Sequence, residues 1–100
     1  MTVRQDPENN EIHALRNMVD FTDSYVLEIG CGDGRLTWRY AEEATRVTAI
    51  DAFEPGIRRA KENTPAQLRN HVRFEAVGFE DFASRTEPDV FDVIILSWAL

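Results

Sequence analysis

The sequence predicts an α/β fold with a doubly wound parallel sheet, because short apolar segments alternate with segments of helical periodicity. Four segments have the composition of buried strands: residues 25–29, 47–50, 72–77 and 91–96. Parallel strands of this kind are joined by right-handed crossovers. We therefore expect four strands and about three helices, with fewer strands than a complete doubly wound sheet normally has.

Three segments have the pattern of helices. Residues 7–21 place apolar side chains at spacings of 3, 4 and 7, and residues 35–46 place Leu36 and Tyr40 on one side. Residues 55–62 begin with proline, which suits a first helical turn. We expect two parts: an N-terminal helical segment, residues 1–24, and a partial ligand-binding domain, residues 25–100.

Size and charge exclude several classes of protein. The chain has 100 residues, 18 acidic against 11 basic side chains and a formal net charge of −7. It allows one domain at most, and its acidity argues against a general nucleic-acid binder. A single cysteine excludes an intrachain disulfide framework and a zinc site built on several thiolates, so no metal site is expected.

The sequence also indicates where the protein is found. Its first ten residues have no apolar core typical of a signal peptide, and its longest apolar stretch, residues 93–100, is far below the ~20 residues of a membrane span. We therefore expect a cytoplasmic protein that does not enter a membrane.

The most informative segment is a glycine-rich loop between the first strand and the helix that follows it. Glycines stand at positions 30, 32 and 34, where an open α/β sheet binds nucleotides. A dinucleotide site requires a third glycine where this chain has Arg35. Glu28 and Asp33 would repel a pyrophosphate but suit a cationic ligand such as S-adenosylmethionine.

Asp51 supplies a second feature of an adenosine site. It ends the second strand, 19 residues after Gly32. A carboxylate at about this separation can accept hydrogen bonds from both ribose hydroxyls.

The ordered set of these motifs resembles the class I S-adenosylmethionine-dependent methyltransferases. The resemblance rests on residues 28–34 (EIGCGDG), on Asp51 and on residues 91–96 (FDVIIL), and it extends from about residue 25 to the end of the chain. It implies a Rossmann-like sheet with the strand order 3-2-1-4. It also implies that the chain is incomplete relative to the seven-stranded fold of that family.

The resemblance implies a set of cofactor-binding residues. Glu28 would hold the methionine amino group, the glycine loop would line the methionine and ribose, and Asp51 would bind the ribose hydroxyls. Segments after the second, third and fourth strands would contact the adenine and border the methyl group. The full set is Glu28, Gly30, Cys31, Gly32, Asp33, Gly34, Asp51, Ala52, Gly78, Phe79, Glu80 and Ser97, with Trp98 beside the substrate.

One position departs from the family pattern. Many members carry an acidic residue just after the third strand that accepts a hydrogen bond from the adenine amino group, and this chain has Gly78 there. Glu80, Asp81 or a backbone carbonyl would have to replace it.

Several functional alternatives stay open at the level of sequence. The first is a methyltransferase that acts on a small-molecule acceptor, with no catalytic residue identified. The second is a truncated, non-catalytic module that binds the cofactor, and the third is an NAD-binding half-domain, which Arg35 and the acidic loop disfavour. Cys31 is interpreted as a small spacer between glycines.

The last strand carries a structural expectation. Residues 91–96 are apolar enough for a central strand that is buried on both faces. With no later strand beside it, it would lie at an open sheet edge, and open edges promote self-association.

Overall fold

The computed structural model describes residues 21–86 and 90–97, and the backbone of residues 2–5. It contains a parallel sheet in the order β1-β5-β2-β3-β4. The strands are β1 (Thr2–Gln5), β2 (Tyr25–Ile29), β3 (Arg46–Asp51), β4 (Val72–Ala76) and β5 (Val93–Leu96). The predicted order of the four later strands is confirmed.

Three helices connect these strands in the described residues. They are α1 (Thr37–Tyr40), α2 (Glu54–Asn63) and α3 (Phe79–Ser84), and a short 3₁₀ turn spans Ala66–Leu68. The α-helix predicted for residues 35–46 is regular only over α1. Around it, amide groups bond to carbonyls three residues back, as from Glu43 to Tyr40 and from Ala44 to Ala41, which is the tighter geometry of 3₁₀ turns. Helix α3 was not predicted.

The helices cover both faces of the sheet, as a doubly wound fold requires. On one face, Val47, Ala49 and Ile95 pack against α1 and α2 in the larger core. On the other face, Leu27 and Ile50 pack against Phe82 of α3. Neighbouring residues of a strand point to opposite faces, so each central strand contributes to both cores.

The N-terminal strand corrects one prediction. Strand β1 pairs in parallel with β5, with Thr2 opposite Val93 and Gln5 opposite Leu96, so the outer edge of β5 is covered. The open edge expected there was therefore wrong, which removes the reason given for self-association through β5. Residues 2–5 are few and mostly polar, so they show no apolar periodicity that would predict a strand. Pairing with β5 requires only their backbone N–H and C=O groups.

Some predicted features lie outside the described residues. These are the helix of residues 7–21 apart from Phe21, the turn at residues 87–89 and Trp98. Phe21 itself is buried and stacks on Tyr40, with ring centroids 4.8 Å apart. Within the described ranges, no helix is long and apolar enough to cross a membrane.

The glycine loop between β2 and α1 depends on backbone conformations that favour glycine. Gly30, Gly32 and Gly34 have φ angles of 81°, 57° and 89°. A side chain at Gly34 would also meet an obstacle, because its Cβ would lie 2.7 Å from the ring of Trp38 and 3.3 Å from that of Phe74. Gly34 is thus required both by its backbone and by close packing.

Removing residues 2–5 tests the role of β1. The deletion leaves the backbone groups along the outer edge of β5 without their partners, and such an edge recruits other chains. We expect the shortened chain to form oligomers, seen by size-exclusion chromatography with light scattering, under conditions where the full chain does not. An unchanged mass distribution at equal concentration would show that β1 does not protect this edge.

Two alanine substitutions separate backbone strain from packing. Gly32→Ala adds a Cβ with no neighbour within 4 Å. It should therefore lower the free energy of unfolding only by the ~1–2 kcal/mol that a non-glycine residue costs in the left-handed backbone region. Gly34→Ala should cost ~1–3 kcal/mol more in the free energy of unfolding, because Trp38 must move. Urea denaturation measures both values. Equal losses would contradict the packing role of Gly34.

Candidate cofactor-binding site

The predicted site residues converge where β2, β3 and β5 end. Parallel strands bring their carboxyl ends to one edge, and the loops that follow them meet there. A cavity of about 360 Å³ opens at this point, which is a size typical of small-ligand sites. Its walls are Glu28, Gly30, Cys31, Gly32, Asp33, Arg35, Leu36, Asp51 and Ser97.

Glu28 is a completely buried carboxylate held by three hydroxyl groups. Thr37 Oγ1 and Tyr40 Oη each donate to Oε1 at 2.7 Å, and Ser97 Oγ donates to Oε2 at 2.8 Å. The alternation along β2 turns Glu28 toward the face covered by α1, and the spacing of Thr37 and Tyr40 places both hydroxyls on one side of that helix. One side chain therefore joins β2, α1 and the end of β5.

The burial of Glu28 opposes its ionisation. Desolvation raises the pKa of its carboxyl group, while the three hydroxyl donors and the charge of Arg35 lower it. None of the ion pairs within the described residues includes Glu28. The cavity therefore borders a buried carboxyl group whose charged form no side-chain ion pair in the described residues stabilises.

Asp51 holds the glycine loop from the other side. Its Oδ2 accepts a hydrogen bond from the backbone amide of Gly32 at 2.9 Å, and its Oδ1 accepts one from Phe53 at 2.8 Å. Each carboxylate oxygen can accept a second hydrogen bond, and the residue is only partly buried. Asp51 can thus position the loop and still bind hydroxyl groups of a ligand.

Ser97 fastens the end of β5 to the end of β2. Its amide donates to the carbonyl of Ile29 at 2.9 Å, and its hydroxyl lies 3.0 Å from the carbonyl oxygen of Gly30 as well as within reach of Glu28. One hydroxyl proton can serve only one of these acceptors at a time. The side chain of Ser97 is therefore directed toward the base of the cavity.

Cys31 lies in the wall of the cavity but is not activated as a nucleophile. It is buried, and its Sγ is 3.7 Å from the carbonyl oxygen of Gly32. Burial, followed by the negative charges of Glu28 and Asp51, raises the pKa of the thiol. A thiol that stays protonated is a poor nucleophile, as expected of a small spacer.

Other predicted site residues lie outside the wall of this cavity. Gly34 packs beneath Trp38, and Ala52 is exposed beside Asp51. Gly78 precedes α3, and Phe79 and Glu80 form its exposed first turn. This turn is nevertheless close to the end of β3, because the amide of Val77 donates to the carbonyl of Asp51 at 3.0 Å.

Several residues of the site were not predicted from the sequence. Arg35 and Leu36 line the cavity, and Thr37 and Tyr40 hold Glu28. Thr37 and Tyr40 could have been found from the sequence, because two hydroxyl residues three positions apart on a helix lie on one side of it and can face a buried acid. Phe53, with 62% of its surface exposed two residues after Asp51, was also missed.

Comparison with known proteins agrees with this arrangement. A family model described as a methyltransferase domain matches residues 21–100. A Methanocaldococcus jannaschii protein assigned as a protein N5-glutamine methyltransferase is 31% identical over 93 residues, which are 92% of this chain and 45% of that protein. The chain therefore spans less than half the length of this relative.

Solved structures show the same architecture. A protein from Listeria monocytogenes, assigned as an S-adenosylmethionine-dependent methyltransferase, superimposes with a TM-score of 0.67 and 31% identity. The match covers 84% of this chain and 38% of that protein. An S-adenosylmethionine-dependent methyltransferase from Mesorhizobium loti shares the fold, with a TM-score of 0.70, 23% identity and coverage of 88% and 39%.

The family model covers most of the chain, and the described residues have the sheet order and glycine loop that the resemblance to methyltransferases implied. The chain belongs to the methyltransferase domain family.

Proposed function

We propose that this chain forms the S-adenosylmethionine-binding part of a class I methyltransferase. The observation that carries the proposal is the cavity at the strand ends, where the buried, unneutralised Glu28 and the partly exposed Asp51 flank a loop of positive-φ glycines. A cationic ligand with free ribose hydroxyls matches both carboxylates. A pyrophosphate would meet two negative charges, which disfavours the NAD alternative.

The residues of the cavity fit the chemistry of S-adenosylmethionine. Glu28 supplies a negative charge in a poorly hydrated position, where electrostatic attraction is strong. Asp51 supplies acceptors for hydroxyl groups, and the glycines let a ligand approach the backbone. The exposed rings of Phe53 and Phe79, on the segments that follow β3 and β4, offer apolar surface for an adenine beside Ala52.

The cofactor itself supplies an activated methyl group when it is bound. The contribution of this chain is to bind and orient, and such alignment accounts for ~7–11 kcal/mol of the barrier in favourable cases. Glu28 and its three hydroxyl partners form a rigid base, and Asp51 sets the position of Gly32 above it. No residue of the described chain is assigned as a general base.

The acceptor remains the open part of the proposed function. A small-molecule acceptor was expected from the sequence. The name of the Methanocaldococcus jannaschii relative instead specifies a protein glutamine side chain, which favours an amide nitrogen of a protein as the second candidate. The chain spans 45% of that relative, and no residue in the described ranges is assigned to acceptor selection.

The charge of Glu28 should reduce stability, and Glu28→Gln tests this. The amide can keep Oε1 as the acceptor for Thr37 and Tyr40, and its Nε2 can donate to Ser97 Oγ, whose proton then serves the carbonyl of Gly30. Because burial raises the pKa of Glu28, the wild-type chain loses stability as pH rises from the unfolded value through the raised one.

Thermal melting between about pH 5 and 8 therefore tests the direction in which stability changes with pH. The melting temperature of Glu28→Gln minus that of the wild type should become more positive as pH rises. Ser97→Ala removes one hydrogen-bond donor to the Glu28 carboxylate and so raises its pKa further. In this variant the loss of stability with rising pH should therefore occur at higher pH than in the wild type. The exposed Ser84→Ala serves as the matched control. A difference that is independent of pH would refute a titrating Glu28.

Calorimetry tests cofactor binding directly. We expect the chain to bind S-adenosylmethionine and not NAD. Glu28→Gln should weaken binding of S-adenosylmethionine about tenfold or more, as expected for a lost charged partner worth ~1.5–3 kcal/mol. Binding of S-adenosylhomocysteine should fall by a similar factor, because that ligand keeps the ammonium group assigned to Glu28. Asp51→Asn should weaken the binding of both ligands, because the Asp51 carboxylate holds the amide of Gly32 and is also proposed to accept hydrogen bonds from the ribose hydroxyls.

The control for these variants is Glu62→Gln on the exposed surface of α2, which changes the net charge equally and should bind as the wild type does. Wild-type affinity in both Glu28→Gln and Asp51→Asn would refute the assigned site. Binding of NAD in place of S-adenosylmethionine would refute the proposed function.

A further inference from the structure

A second surface feature lies at the opposite end of the sheet from the cofactor cavity. An open groove with a volume of about 640 Å³ runs between the end of α2, the 3₁₀ segment and the first residues of β3 and β4. We call it the basic groove, and its lining residues are Arg46, Lys61, Thr64, Arg69, Asn70, Val72, Arg73 and Phe74. Strand β3 connects the two sites, since Arg46 begins it in the groove and Asp51 ends it at the cavity, about 16 Å away at ~3.3 Å per residue.

The charge of the basic groove is opposite to that of the chain. Four of its lining residues are cationic and none is acidic, although the chain has 18 acidic and only 11 basic side chains. All four cations (Arg46, Lys61, Arg69 and Arg73) are exposed, and among them only Arg73 forms an ion pair within the described ranges, with Glu75 at 3.5 Å. Clustered like charges repel one another, so the groove presents a local positive potential that attracts anions.

The floor of the basic groove is also a sheet edge. Strand β4 is the last strand of the described sheet and pairs only with β3 there. Val72, Arg73 and Phe74 of this strand line the groove. The outer backbone groups of an edge strand can pair with an extended peptide, which places its alternate side chains on the same surface.

We propose that the basic groove binds an extended, acidic peptide segment of a partner protein, which pairs with β4 and directs its carboxylates toward Arg46, Lys61 and Arg69. Nucleic acid is the less suitable anion, because a long polyphosphate would extend from the groove over the rest of a surface with net charge −7. A short acidic peptide needs only the cationic groove and the adjoining edge. The proposal does not depend on the proposed methyltransferase activity.

Fluorescence anisotropy with the full 100-residue chain tests this proposal. The probe is a labelled eight-residue peptide of alternating glutamate and valine, roughly the length of one strand. Arg69→Glu and Lys61→Glu should each weaken its binding about tenfold or more, because each replaces attraction by repulsion. Added salt should weaken wild-type binding, as screening requires.

The matched control is Arg59→Glu, which makes the same change in charge on an exposed residue of α2 outside the groove. It should weaken binding clearly less than Lys61→Glu and Arg69→Glu do, because Arg59 does not line the groove. Equal losses in all three variants would overturn the groove as the binding site. All three should bind S-adenosylmethionine as the wild type does, which separates failure of this proposal from failure of the proposed cofactor site.

Two further probes distinguish the mode of binding. The same peptide with every backbone amide N-methylated keeps its side-chain charge but has no N–H group to donate to a sheet edge, so it should bind at least about fivefold more weakly. Undiminished binding would overturn pairing with β4. A single-stranded RNA of equal charge that bound more tightly than the peptide, and lost affinity in Arg69→Glu, would overturn the peptide in favour of nucleic acid.

Discussion

The buried carboxylate of Glu28 is the interaction on which the rest of the site depends. Taking an ionised group out of water is costly, and here three hydroxyl donors offset that cost in place of an ion pair within the described residues. Those donors come from α1 and from the residue after β5, so satisfying the carboxylate fixes the helix and both strand ends relative to one another. A neutral residue could fill this space with less penalty. A buried titratable group beside a cavity is a candidate for ligand binding, in line with the proposed function.

Asp51 holds the glycine loop on the side that faces solvent. Its carboxylate accepts from Gly32 and Phe53, so the glycine loop lies between an acid beneath it and an acid beside it. The backbone conformations of Gly30, Gly32 and Gly34 are compatible with this position, and larger side chains at Gly34 are excluded by Trp38. Asp51 thus holds the loop through a hydrogen bond, Glu28 holds α1 and Ser97 beneath it, and both acids border the cavity. The carboxylate oxygens of Asp51 can therefore position the loop and also accept hydrogen bonds from a ligand.

The parts of the fold that sequence predicts well are those with strong periodic signals. The four apolar strands follow from the alternation of strands and helices, whereas their order was implied by the resemblance to methyltransferases. Glu28 and Asp51 were singled out by their places at strand ends beside the glycine loop. Thr37 and Tyr40 were missed as partners of Glu28; Tyr40 has the pattern of a core residue, and only its contact with Glu28 reveals the polar role. Strand β1 was missed because a polar segment that pairs through its backbone carries no apolar period. Its partner lies about ninety residues away, which no local pattern reports.

The two ends of the sheet carry opposite charges, and this arrangement has a physical consequence. Acids gather at the carboxyl ends of the strands around the cavity, whereas Arg46, Arg69 and Arg73 gather at the amino ends. A cationic small ligand and an anionic peptide are therefore drawn to separate surfaces of one small domain, and each is repelled from the other's surface. The separation is close to twice the Debye length at physiological salt, so occupancy of one surface should leave the electrostatic potential at the other nearly unchanged. Charge alone can thus assign each ligand to its own surface without any movement of the fold.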